Sequence, residues 1–181
     1  GIEFTYTYDT GINGIGRLTS AATPIVITSY EYDAVGSKIT ETKAKNTASA
    51  DPDITAIFGA QAGFTSRFAY DRQGNQTNII YPDASQVSYT YNTAGLLETV
   101  PGFVSNFDYA PTGKVAQKQF ANGANTSYTY DADKLYRLSN ITTVTPSSTK
   151  LQDISYTYDA VGNITSVVDT GTGTPKTASY V

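Results

Sequence analysis

Two Asp-Thr-Gly triplets, Asp9-Thr10-Gly11 and Asp169-Thr170-Gly171, come nearest to catalytic machinery in this 181-residue chain. In aspartic proteases that triplet presents a carboxylate to a second, facing acid, and the two share one proton. Only ten residues follow Gly171, too few to build a lobe around Asp169, and Asp9 falls on the turn position of a repeat. Neither triplet is therefore read as catalytic. The pairs Asp51/Asp53 and Asp131/Asp133 offer oxygen ligands, but calcium takes six or more oxygens at one point, and one acid per turn does not collect them. The chain has no His and no Cys. That removes Ser-His-Asp and Cys-His relays, the common zinc ligand sets and disulfides from this segment. No GxxxxGK[ST] loop is present to cradle a phosphate. Asn-x-Ser/Thr triplets at Asn75, Asn125, Asn140 and Asn163 are what a Gly-Asn turn running into a Thr-rich strand produces, and they are not read as glycan sites. No catalytic, cofactor-binding or metal-ligating residue is assigned, and no cofactor.

The acids and phenols instead belong to a signature that returns seven times. Tyr6-Thr7-Tyr8-Asp9, Tyr30-Glu31-Tyr32-Asp33, Tyr128-Thr129-Tyr130-Asp131 and Tyr156-Thr157-Tyr158-Asp159 are full copies. Phe68-Ala69-Tyr70-Asp71, Tyr89-Thr90-Tyr91-Asn92 and Phe107-Asp108-Tyr109-Ala110 vary it. Alternation along a strand puts both rings of each copy on one face. In five copies a glycine stands four residues after the second ring: Gly36, Gly74, Gly95, Gly113 and Gly162. Asp at the first turn position accepts bonds from the backbone two residues on, and Gly at the fourth supplies the positive φ of a type I turn with a G1 bulge. A second strand follows, as in Asn163-Ile164-Thr165-Ser166-Val167, so each unit reads as a β-hairpin. The first copy carries a longer tip, Gly11 to Gly16, and the sixth, Asp131 to Arg137, has no glycine.

The turn positions recur at intervals suited to two strands and two loops, except that Asp33 to Asp71 spans 38 residues. The excess, within 41–63, holds the turn-rich Asn46 to Asp53 and is read as an inserted loop or a degenerate repeat. No helix is expected; the best candidate, Ile54 to Ala62, is short and interrupted by Gly59. Tyr180 opens an eighth copy, so residues 1–181 read as a single array that is a stretch of something longer. The expected class is all-β: consecutive antiparallel hairpins in a curved, spiralling strip, each leaning on its neighbours. With 15 Tyr and no Trp or Met, the rings must provide much of the apolar surface, and cross-strand Tyr packing is expected to stiffen the sheet. A net charge of −4 without a basic run argues against a nucleic-acid partner, and no apolar stretch approaches the 18 residues that would read as a membrane-spanning helix.

Tyr-x-Tyr-Asp-x-x-Gly with a following strand resembles the YD repeat of Rhs proteins, teneurins and the C components of insecticidal Tc toxins. Gly14-Ile15-Gly16-Arg17-Leu18-Thr19, Phe120-Ala121-Asn122-Gly123 and Leu151 to Ile164 carry the likeness most closely. The resemblance implies a β-sheet that spirals into a hollow shell, secreted or at the cell surface. Such a shell encloses a C-terminal toxin domain, or serves adhesion in teneurins. On that reading the chain is non-catalytic wall. Its partners are then the remainder of its own longer chain, with further repeats and a C-terminal toxin, and its open strand edges are prone to self-association. The rival expectation is a surface module whose Tyr face recognises carbohydrate or a receptor.

Overall fold

The computed structural model describes residues 3–49 and 51–180. Gly1, Ile2, Ala50 and Val181 lie outside them, and with them one residue of the expected 41–63 insertion and the last residue of the incipient eighth copy. Two compact units divide the chain, residues 1–89 and 90–181.

The first unit is one antiparallel sheet whose strands lie side by side in chain order: β1 (Thr5–Tyr8), β2 (Leu18–Ala22), β3 (Val26–Tyr32), β4 (Lys38–Lys45), β5 (Phe64–Tyr70), β6 (Gln76–Ile80) and β7 (Gln86–Ser88). The second opens with a pair, β8 (Thr90–Tyr91) and β9 (Leu97–Thr99). A seven-stranded meander follows, with β10 (Val104–Tyr109), β11 (Val115–Phe120), β12 (Asn125–Asp131), β13 (Arg137–Val144), β14 (Lys150–Tyr158), β15 (Ile164–Asp169) and β16 (Lys176–Ser179). The all-β hairpin array predicted from the repeat is what forms.

The stretch within 41–63 takes in the end of β4 and the connection to β5, and β4 pairs directly with β5 across it. It contains a helix, α1 (Pro52–Phe58), against expectation. Asp51 caps it, its carboxylate accepting from the amides of Asp53 and Ile54, Pro52 supplies a first-turn φ, and Gly59 ends it. Two turns of helix hold because Phe58 packs on Phe64, ring centroids 5.1 Å apart. Phe58 is one of the few buried side chains, with Val104 and Ala124; none among the described residues is buried to below 2% exposure. Each unit is thus a single layer, stabilised between neighbouring strands and not by a second layer.

At the signature end of the hairpins the chain reverses as predicted. Gly36, Gly74, Gly113 and Gly162 have φ of 96°, 85°, 77° and 102°, and Gly36 N–H donates to Asp33 O while Asp33 N–H donates to Ser37 O. The opposite end uses the same turn at Tyr81–Ser85, Phe120–Ala124 and Thr145–Thr149. Gly123 sits at φ 83° there, but Ala84 and Ser148 take φ of 65° and 63° with side chains. The sixth signature turn, lacking glycine, tightens into a 3-10 turn, Ala132–Lys134, and then holds Leu135 and Tyr136 left-handed at φ 57° and 54°.

Candidate functional site

The signature residues are gathered into one repeated device. The turn acid is spent on its own loop. Asp33 Oδ1 accepts from the amides of Val35, Gly36 and Ser37 at 3.0, 2.8 and 2.8 Å. Asp71 accepts from Gln73 and Asn75 amides, and its other oxygen from the Asn75 side chain at 3.0 Å. Asp159 repeats this with Gly162 and Asn163, and Asn92 with Ala94 and Leu96. In Asp71 and Asp159 the asparagine amide, more than any backbone group, holds the carboxyl below its usual range. In Asp33 burial pushes upward, but the amides of Ser37, Gly36 and Val35 outweigh it. Asp9 accepts from Gly16 N–H at 2.5 Å, and Asp131 from Asp133 N–H at 3.0 Å. Asp169, the acid of the second Asp-Thr-Gly, accepts from Gly171 N–H at 2.9 Å. Both triplet acids serve local turns. Asn75, Asn140 and Asn163 also spend their amides on neighbouring side chains. Among the described residues no three His, Cys, Asp or Glu side chains converge on one point.

The two rings of each signature do different work. In all seven hairpins the register shifts immediately before the second ring, so one extra residue sits in the return strand. Such a bulge adds twist and re-aims the side chain beside it. Between hairpins the ladder stops short: β13 and β14 pair only from Asn140 onward, and β11 and β12 only from Gln117. Two residues earlier the next hairpin's second ring fills the gap, and its hydroxyl donates to the carbonyl the ladder leaves over. Tyr32 donates to Leu18 O (2.6 Å), Tyr70 to Lys38 O (3.0 Å), Tyr109 to Leu97 O (2.6 Å), Tyr130 to Val115 O (2.8 Å) and Tyr158 to Leu138 O (2.7 Å). A backbone carbonyl that would otherwise lack a protein partner is thereby satisfied. Burial pushes the phenols of Tyr109 and Tyr130 up, so they remain donors through the physiological range.

In three of these five latches a cation covers the same ring. Arg17 lies 5.7 Å from the Tyr32 centroid, Lys114 5.1 Å from Tyr130 and Arg137 5.8 Å from Tyr158. Each is the residue before the accepting carbonyl, so the pairs Arg17-Leu18, Lys114-Val115 and Arg137-Leu138 form one half of the latch. Arg17 also lies so close to Gly36 that a Cβ there would collide with its guanidinium, and Arg137 approaches Gly162 within 2.6 Å of the same position. Those two glycines thus have a packing reason beyond φ.

The first rings are Tyr6, Tyr30, Phe68 and Tyr89 in the first unit and Phe107, Tyr128 and Tyr156 in the second. Cross-strand Tyr packing is not what joins them where contacts are resolved. Lys38 bridges Tyr30 and Phe68 at 5.5 and 4.9 Å, and Lys118 bridges Phe107 and Tyr128 at 5.7 and 5.5 Å. Rings two strands apart are too distant to stack, and a lysine on the strand between reaches both. On the opposite face Asp153 ties three strands together: Lys150 and Asn140, with Thr170 in addition, draw its carboxyl far below the usual range.

Sequence reasoning located the acids, glycines and rings but missed the cation and the accepting carbonyl. The signal available was the basic-aliphatic pair at the start of the return strand. The arrangement binds hairpin to hairpin.

Solved structures carry the same architecture. Crystal structures of TcdB2-TccC3-Cdc42 and of TcdB2-TccC3 match with TM-scores of 0.76 and 0.77, each at 20% identity over 94% of this chain. The Photorhabdus luminescens Tc holotoxin pore, with a mutated TccC3, matches at 0.75 and 20% over 94%. The chain has the Rhs/YD-repeat fold that its signature predicts. It spans about 9% of the length of those chains. No family model matches it, and no curated protein does.

Proposed function

We propose that this chain is a stretch of wall in a secreted Rhs-type β shell that encapsulates or presents a toxin domain of a larger protein, and that it catalyses nothing itself. The observation that carries this reading is that the turn acids and five second rings of the signature are spent on assembly. Turn acids are bonded to their own loops, and five second-ring hydroxyls to the preceding hairpin. The likeness to segments of Tc toxin structures supports it, and no described helix is long and apolar enough to cross a membrane. Recognition of carbohydrate by the Tyr face has less support, since three of the second rings lie under cations and five bond to the preceding hairpin. Limited proteolysis of the full-length gene product tests the proposal. The enclosed domain should resist protease until the shell is denatured. Cleavage of that domain at the rate of its isolated form would refute encapsulation.

A further inference from the structure

Asn-Gly occurs twice, at Asn13-Gly14 and Asn122-Gly123. This dipeptide is chemically unstable in water. Glycine has no side chain to obstruct the approach of its own backbone nitrogen to the asparagine Cγ, and its backbone turns freely. A bond forms between those two atoms, the side-chain nitrogen leaves as ammonia, and a five-membered succinimide results. Water then opens the ring at either carbonyl. One opening gives aspartate. The other gives isoaspartate, in which the main chain runs through the side-chain carbons. Water is the only other reactant. Ordered backbone suppresses the first step, because the dipeptide must rotate out of its folded conformation to bring the two atoms together.

The fold treats the two copies differently. Asn13 is fastened from both sides: its Nδ2 donates to Tyr32 O at 3.0 Å, its carbonyl accepts from Arg17 Nη1 at 2.9 Å, and Gly14 O accepts from Arg17 N–H at 2.9 Å. Gly14 is buried, and a Cβ there would collide with the Thr10 carbonyl. Opening this dipeptide also disturbs Arg17, which covers Tyr32 of the next hairpin. Asn122 is exposed in the turn Phe120–Ala124, as are Ala121 and Gly123 beside it. Two bonds hold the dipeptide: Asn122 Oδ1 accepts from Ala124 N–H at 3.0 Å, and Gly123 N–H donates to Phe120 O at 2.9 Å. Its Nδ2 makes no hydrogen bond among the described residues. Both bonds lie within one exposed turn, which opens locally at low free energy.

We propose that Asn122 is a site of spontaneous deamidation, through a succinimide closed by the Gly123 nitrogen, and that the fold protects Asn13 from the same reaction. The two products differ in consequence. Aspartate keeps the acceptor oxygen for Ala124 N–H. Isoaspartate lengthens the main chain of a turn whose ends are fixed, Phe120 N–H to Ala124 O at 2.8 Å and Ala121 N–H to Phe103 O at 2.9 Å. Ala124 and Val104, the latter paired with Phe120, are two of the few buried apolar side chains. Isoaspartate at position 122 therefore loosens the joint between β11 and β12. The proposal stands independently of any role in a toxin.

Ageing the folded protein for days at mildly alkaline pH, followed by tryptic digestion and mass spectrometry, tests this. Asn13 falls in the peptide ending at Arg17, and Asn122 in the peptide from Gln119 to Lys134. In the folded protein Asn122 should convert about tenfold faster than Asn13, the upper worth of the one additional hydrogen bond that holds Asn13. In the urea-unfolded chain the two should convert at similar rates. Labelling by an isoaspartyl methyltransferase should appear in the aged parent at position 122 and not in aged Asn122→Ser, whose circular dichroism confirms that it folds. The aged parent should melt below the fresh parent, and aged Asn122→Ser should melt with its own fresh form. Equal conversion of the two asparagines in the folded protein overturns the proposal. So does faster conversion at Asn13, or an Asn122 that stays intact when folded but converts when unfolded. An aged parent that carries isoaspartate at position 122 and melts unchanged overturns the loosening of the β11–β12 joint.

Discussion

Removing one hydroxyl distinguishes the two rings of a signature. Tyr158→Phe deletes the 2.7 Å bond to Leu138 O while keeping the ring and the Arg137 cation above it. A hydrogen bond of this kind has a net worth of about 0.5–1.5 kcal/mol. Leu138 is half-buried, so water can partly replace the donor, and the loss should fall near the middle, about 1 kcal/mol. In a chain of this length that corresponds to a melting shift of roughly 2–4 °C. Tyr156→Phe removes a hydroxyl that makes no hydrogen bond among the described residues, and should change stability by less than ~0.5 kcal/mol. Urea denaturation followed by far-ultraviolet circular dichroism measures both, and amide exchange in β13 and β14 locates the loss. Equal destabilisation by the two substitutions would refute the division of labour between the rings. So would a Tyr158→Phe protein indistinguishable from the parent.

Ala84→Gly and Ser148→Gly should each raise stability by up to about 1 kcal/mol, because a left-handed non-glycine residue costs roughly 1–2 kcal/mol, offset by the extra freedom glycine has when unfolded; calorimetry reads the gain. Gly36→Ala should destabilise more than Gly113→Ala, since both sit at positive φ but only Gly36 would also displace Arg17 from Tyr32; paired denaturation curves check the order. Asp33, Asp71, Asp153 and Asp159 all have carboxyls held below the ordinary value of 3.8. Depressed folded values mean that their stabilisation is fully present well above pH 3.8 and is lost as pH falls through and below it. Changing all four to Asn should flatten the acid limb of a stability-against-pH curve and leave the region above pH 6 with a near-constant offset.

The hairpin unit was legible because its determinants are local. Asp33 and Gly36 lie three residues apart, and the bonds that close their turn are made within Asp33–Ser37. The latch was not legible because its acceptor is a backbone carbonyl, which no side chain marks, lying 12 to 32 residues earlier in the chain. The basic residue could have been noticed, since Arg17, Lys114 and Arg137 each open a return strand, but its target is visible only once neighbouring hairpins are in register. Helix α1 escaped for a different reason. Asp51 and Pro52 are ordinary start signals, yet seven residues are too few to form a helix unaided, and Phe64, which covers Phe58, comes after the helix. Leu135 and Tyr136 were illegible as left-handed residues, because nothing in their side chains favours that conformation; the fixed ends of β12 and β13 impose it.

Cryo-electron microscopy of the full-length gene product is the most direct test of the central claim. It should show residues 3–180 as hairpins in the wall of a hollow body, with the oxygens of Tyr32, Tyr70, Tyr109, Tyr130 and Tyr158 each within hydrogen-bond reach of the preceding hairpin's carbonyl and separate density inside. A map in which these hairpins stand apart from any enclosure, with their tyrosines turned to a bound ligand instead, would contradict it.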